Sequence, residues 1–191
     1  RTMVKRPNIL WVSFEDCYPH FGCYGDKVAR TPSLDQLAAE GALWTRAFST
    51  APVCSPARSG VITGMYPVSI GTHHHRTGSG ERIGSLAYSY EAVIPHYVKC
   101  FSEYLRADGY YCSNNAKTDY QFAPPITAWD DCGATGHWRN RPDTDDSFFA
   151  VFNLGQTHES NMWEEKNGEP VWPELDFDLE SIEVPPYFPD T

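Results

Sequence analysis

Asn8-Ile-Leu-Trp-Val-Ser13-Phe14, closed by Glu15-Asp16, decides the fold class. An apolar run of strand length that follows Pro7 and ends on two carboxylates reads as a buried strand of the parallel kind. Thr31-Pro32 then starts a helix, with Thr as N-cap, Pro at the first helical position and Asp35 in the first turn. Leu34, Leu37, Ala38 and Ala42 share one face of it, and Leu43 to Phe48 returns to strand-like composition. A second helix starts just after Cys54, with Pro56 at an early turn position and Ala57 to Thr63 following, and stops at Gly64. Ser69 to Gly84 has no apolar periodicity and reads as a long loop. Helical spacing resumes over His96 to Arg106, ends at Gly109 and hands over to a strand at Tyr110 to Ser113. Ser147 to Leu154 is the last strong strand, and residues 159–191 form an irregular, acidic, proline-rich tail. Alternating strands and helices predict an α/β fold with a mainly parallel sheet flanked by helices. Ligands in such folds bind beyond the carboxyl ends of the strands. The residues to inspect are therefore Glu15 and Asp16, Lys117 and Asp119, and Thr157 and His158.

Composition excludes several functions. The chain has 191 residues, the size of one domain, and 41% of them are apolar, enough for a core. Fifteen Lys plus Arg against 25 Asp plus Glu leave a net charge of −10, which repels nucleic acid and anionic lipid. Apolar runs such as Phe148 to Phe152 fall far short of the roughly 20 residues of a membrane span. Six cysteines are too sparse for a disulfide framework, and no C-x-x-C pair or N-glycosylation sequon occurs.

Cys54-Ser-Pro-Ala-Arg58 carries the most chemistry. It places a thiol at a helix N-terminus, where free N–H groups favour an anion, with an arginine one turn on. A cysteine-phosphatase loop needs five residues between Cys and Arg, and here there are three. Together with Arg6-Pro-Asn-Ile-Leu-Trp-Val-Ser-Phe-Glu15-Asp16, Gly22-Cys-Tyr-Gly25, Thr31-Pro-Ser-Leu-Asp-Gln-Leu-Ala-Ala-Glu-Gly41 and Thr63-Gly-Met-Tyr-Pro67, this segment resembles the type I sulfatases of the alkaline-phosphatase superfamily. The resemblance covers residues 6–158, and the segments keep the family's order.

The resemblance implies that Cys54 is oxidised to formylglycine by a formylglycine-generating or anaerobic sulfatase-maturing enzyme that reads Pro56 and Arg58. The aldehyde hydrate then attacks sulfur, and the hemiacetal sulfate releases sulfate by C–O cleavage. Calcium, or magnesium, would acidify the hydrate. Its implied ligands are Glu15, Asp16 and Cys54, with Glu15 departing from the family's Asp-Asp pair. Lys117, in Asn114-Asn-Ala-Lys117-Thr-Asp119, matches the family's sulfate-binding lysine, while Asp119 stands where the family has histidine. That leaves Asp119 or a loop histidine to accept the hemiacetal proton. His158 matches a histidine that protonates the leaving alcohol. Arg58 braces the hydrate. His74, from His73-His74-His75-Arg76, is the loop imidazole expected to face substrate, and Arg139, in His137-Trp-Arg-Asn-Arg141, is expected to touch a sulfated sugar. Gly78 to Gly84 misses the dinucleotide-loop spacing.

The implied activity is hydrolysis of a sulfated carbohydrate, resembling bacterial heparan N-sulfatase-like enzymes, in the periplasm or outside the cell. A phosphodiesterase or phosphonate hydrolase of the same superfamily, and a glycan-binding domain without turnover, are the alternatives. The family's second metal pair and second lysine have no match in residues 159–191. The chain therefore reads as the N-terminal part of one sulfatase catalytic domain, expected to be inactive and poorly stable alone.

Overall fold

A computed structural model describes residues 6–76, 91–162, 178–184 and 187–189. The chain divides into two compact units, one of Arg1–Asp16 with Phe48–Gln156 and one of Cys17–Ala47 with Thr157–Thr191.

The first unit is built on a parallel sheet of four strands, β1 (Ile9–Phe14), β2 (Tyr111–Asn115), β3 (Asp131–Gly133) and β4 (Phe148–Leu154), in the order β1-β4-β2-β3. Ile9 pairs with Phe149 and Phe14 with Leu154, while Tyr111 pairs with Phe148 and Asn115 with Phe152. All strands run the same way, so Glu15, Lys117 and the end of β4 emerge at one edge. The α-helices of this unit are α2 (Cys54–Thr63), the short α3 (Pro67–Ile70) and α4 (Phe101–Ala107). Phe149 anchors the core with Cys100, Cys112, Ala128 and Trp129. The Phe101 ring meets it edge-on at 5.2 Å, and Trp129 stacks on it at 6.0 Å.

Several expectations need correction. The β1 strand is parallel but not buried: it lies at the sheet edge, with Leu10 56% and Trp11 42% exposed, because it has a neighbour on one side only among the described residues. Leu43 to Phe48 is irregular, with a turn at Thr45 and Arg46, rather than a strand. Trp44 and Phe48 are exposed, and no described strand pairs with this segment, so strand-like composition alone does not make a strand. The helix expected over His96 to Arg106 starts at Phe101, where Glu103 accepts the Cys100 N–H at 2.9 Å in a capping box. The loop expected from Ser69 begins inside α3, and Gly78 to Gly84 lies outside the described residues.

In the second unit, α1 (Pro32–Glu40) starts as its Thr-Pro signal predicts. Thr31 does not cap the helix backbone, however. Its hydroxyl accepts the Gly22 N–H at 2.9 Å and donates to Asp35 at 3.1 Å, and Asp35 in turn accepts the Cys23 N–H at 2.7 Å. These bonds pin the Gly22–Tyr24 turn to the start of α1. Of the tail, Glu159–Met162 and Leu179–Ser181 are short 3₁₀ turns.

Gly136 is required by close approach. A Cβ there would lie 2.4 Å from the carbonyl oxygen of Asn114 in β2, a backbone atom that cannot swing aside. Gly136→Ala is expected to destabilise the protein by about 1–3 kcal/mol through overpacking, read as a lower urea midpoint with an unchanged slope.

Candidate active site

At the carboxyl edge of the sheet, the site begins with α2. Val53 is extended and Cys54 takes the first helical position, while Gly64 ends the helix in the left-handed region. Burial of Ser55, Pro56, Ser59, Gly60 and Ile62 fixes the rotation of the helix. Ser55 donates to Gln121 at 3.2 Å, and Ser59 shares a 2.6 Å hydrogen bond with Thr72. Cys54 is thereby held toward the end of β1, its Sγ 3.8 Å from Asp16 Oδ1. Burial pushes the Cys54 thiol up, the charge of Lys117 opposes this, and Asp16 and Glu15 add to it. With thiolate disfavoured, the thiol itself is a weak nucleophile at neutral pH.

Arg58 lies one turn along α2. Its guanidinium donates to the carbonyls of Thr118 at 2.8 Å and Lys117 at 2.7 Å and to Asn153 Oδ1 at 2.8 Å, and it stands 3.7 Å from Glu15. Lys117 Nζ sits 2.6 Å from Glu15 Oε2 and 3.7 Å from Asp119. Glu15 is only 8% exposed, so its charge is carried by these two cations rather than by water.

Asp119 accepts from Arg76 at both oxygens, from Nε at 3.2 Å and from Nη2 at 2.9 Å. Burial works to raise the Asp119 carboxyl, but the hydrogen bonds and charge of Arg76, with Lys117 and Arg58, outweigh it and hold the group below the ordinary carboxylate range. A depressed folded value stabilises the protein above the ordinary aspartate value of 3.8, and the benefit is lost as pH falls through the folded value. Urea midpoints of wild type and Asp119→Asn are therefore expected to diverge above about pH 4 and to converge below it.

Sequence reading missed three supports of this site. Asn153, near the end of β4, accepts from Arg58 and from Ser13 at 2.8 Å each. Its amide donates to the carbonyls of Asn115 at 2.8 Å and Lys117 at 3.1 Å and to Asn114 Oδ1 at 3.2 Å. An amide inside the apolar run Phe148 to Leu154 was the available signal. Gln121 and Arg76 carried none, because their partners lie 66 and 43 residues away. Five non-glycine residues among those described have positive φ, namely Asp16, Arg76, Ala116, Asp119 and Gln121. Each belongs to this site or adjoins it, the pattern of backbone strain held at functional positions.

The structure thus brings together Glu15, Asp16, Cys54, Arg58, Lys117 and Asp119. The carbonyl of His74 faces the Ser55 hydroxyl at 3.4 Å, and its ring packs on His73 at 4.0 Å. His158 belongs to the second unit, where Nδ1 faces the Ser160 hydroxyl at 2.7 Å. Arg139 covers the Trp138 ring at 5.3 Å, and that ring stacks on Phe148 at 5.5 Å, at the opposite end of β4 from Asn153. The structure places Arg139 in an aromatic packing cluster rather than beside Cys54.

Cations, carboxylates and a helix-borne cysteine thus gather at the carboxyl edge of a parallel α/β sheet, the edge where such folds bind ligands. The family model for sulfatases matches residues 7–122, and the chain belongs to the sulfatase family. An ulvan-active sulfatase of Formosa agariphila is 51% identical over 160 residues, which cover 84% of this chain and 26% of the relative. A solved 2-O GAG sulfatase superimposes with a TM-score of 0.63 at 16% identity, over 96% of this chain and 41% of that one. A protein solved with its substrate, D-glucosamine-2-N,6-O-disulfate, gives 0.62 at 17% identity, over 81% of this chain and 35% of that one. Both show the α/β fold of the neighbours. The chain spans only 26% of the length of the first relative. No helix among the described residues is long and apolar enough to cross a membrane.

Proposed function

We propose that the intact gene product hydrolyses sulfate esters of a sulfated carbohydrate, with Cys54, converted to formylglycine, as the reacting position. The observation that carries this reading is the seating of Cys54 at the start of α2, 3.8 Å from Asp16, with Lys117 and Arg58 beside the same carboxylates. A thiol pushed up by burial is a poor nucleophile in its own right. The aldehyde hydrate would supply an oxygen to attack sulfur and a route to release sulfate without hydrolysing a stable ester. Lys117 acts as a point charge on the sulfate oxygens. Arg58, locked by three hydrogen bonds, holds the start of α2 against β2 and β4. His158 is the proton donor to the leaving alcohol.

The donor set partly fits a divalent metal. Carboxylate oxygens at a strand end suit calcium or magnesium, and Asp16 is close enough to Cys54 for one ion to touch both. Glu15 fits less well, because Lys117 holds it at 2.6 Å. Asp16 and Glu15, whose carboxylate lies within 4.8 Å of the Cys54 sulfur, are the ligands that this edge offers, and the ion would polarise the sulfate group. Pro56 is buried and Arg58 is engaged, which supports modification of Cys54 by a maturing enzyme before the chain folds.

The relatives act on or bind sulfated glycans by their names, which supports a sulfated carbohydrate as substrate. A polymeric substrate of that kind supports a periplasmic or secreted location. The test is sulfate release from sulfated polysaccharides by the intact gene product, co-expressed with a maturing enzyme, alongside paired phosphodiester substrates. Preferential sulfate release supports the reading, and turnover of phosphodiesters alone refutes it.

A further inference from the structure

We propose that Arg76 is a specificity-determining contact for the anionic group of the substrate, and that Asp119 is its positioning residue rather than a proton acceptor. The inference rests on the reading of Cys54 as the reacting position. Both side chains belong to the first unit, and the fork of Arg76 meets both oxygens of Asp119 across 43 residues. A bidentate pair of this kind fixes the plane of the guanidinium as well as its place. The pair is held at a price in backbone strain, since Arg76 has φ 46° and Asp119 φ 51°, values that non-glycine residues rarely adopt. A surface ion pair contributes little to stability and needs no such backbone.

The neighbours say what the placement is for. Asp119 also lies 3.7 Å from Lys117, so the carboxylate bridges two cations at the edge that carries Cys54. Three cations, Arg58, Arg76 and Lys117, thus stand among three carboxylates, Glu15, Asp16 and Asp119. Arg58 is turned to backbone carbonyls and Asn153, whereas Lys117 and Arg76 are each set in place by a carboxylate side chain, Glu15 and Asp119, at this edge. Asp119 is poorly suited to collect a proton. Both of its oxygens already accept from a guanidinium, and a carboxylate so held is a weak base.

The test uses the intact gene product, matured in the cell, as wild type, Arg76→Ala, Arg76→Lys, Asp119→Asn and the Arg76→Ala/Asp119→Asn double variant. Two readouts are taken, steady-state kinetics on a sulfated oligosaccharide and calorimetric binding of inorganic sulfate. Arg76→Ala should raise KM and weaken sulfate binding by roughly 10- to 100-fold, the loss of a hydrogen bond to a charged group. Arg76→Lys should fall between, because an ammonium keeps the charge without the fork. Asp119→Asn should show a smaller loss in the same two quantities, and the double variant should be no worse than Arg76→Ala. Unchanged KM and sulfate binding in Arg76→Ala would overturn the proposal. So would a further loss in kcat on the order of 100-fold when Asp119→Asn is added to Arg76→Ala, since that is the signature of a lost proton acceptor. Failure of the wild type to release sulfate would instead count against the sulfatase reading, and the calorimetric comparison would still decide the role of Arg76.

Discussion

Cys54→Ala in the intact gene product should lower sulfate release on the order of 10⁵-fold or more, the scale seen when a nucleophile is removed from a site whose parts act as a unit. Stability should change by less than about 1 kcal/mol, because Cys54 is only partly buried and its thiol makes a long, 3.8 Å approach to Asp16. This split distinguishes a reacting position from a structural cysteine. Cys100 and Cys112 provide the contrast: both are fully buried, and burial pushes each thiol up to about 12. A Cys54→Ala protein that melts normally and still releases sulfate would remove Cys54 from the chemistry.

Lys117→Met is expected to have the largest effect on stability. It removes the cation 2.6 Å from a carboxylate that is 8% exposed, leaving Glu15 with Arg58 at 3.7 Å. Breaking a buried pair by deleting one partner costs about 3–5 kcal/mol, and the partial exposure of Lys117 lowers the expectation to about 2–4 kcal/mol. Activity should fall as well, by roughly 10²- to 10³-fold, as for loss of one group that stabilises a developing charge. Adding Glu15→Gln should recover much of the stability, because the uncompensated charge is then gone, while activity stays low. Urea unfolding of the four proteins in the presence of a chelator measures the coupling. Additive effects would mean that Glu15 and Lys117 do not depend on each other.

The sequence made the edge of this site legible because local signals mark it. The apolar run ending in Glu15-Asp16, the short strand read at Tyr110 to Ser113, and the Cys-Ser-Pro-Ala-Arg segment that opens α2 each mark an element locally. Tertiary pairings could not be read the same way. Nothing local says that, among the described residues, β1 borders only β4 or that the Trp44 segment pairs with no strand, since both depend on neighbours distant in the chain. The same holds within the site. Nothing local says that Glu15 meets Lys117, 102 residues away, or that both oxygens of Asp119 accept from Arg76. Arg139 reads as a sugar contact because aromatic and basic residues alternate there, yet its neighbours are Trp138 and, through it, Phe148. Charge type was readable from sequence, but partner choice was not.

Whether residue 54 reacts as formylglycine at the carboxyl edge of the sheet is decided by mass spectrometry of the peptide containing residue 54 from a preparation that releases sulfate, with and without a hydrazide reagent. Loss of the thiol mass in favour of formylglycine and a hydrazone adduct at that position, in proportion to activity, is expected. An unmodified Cys54 throughout a fully active preparation would contradict it.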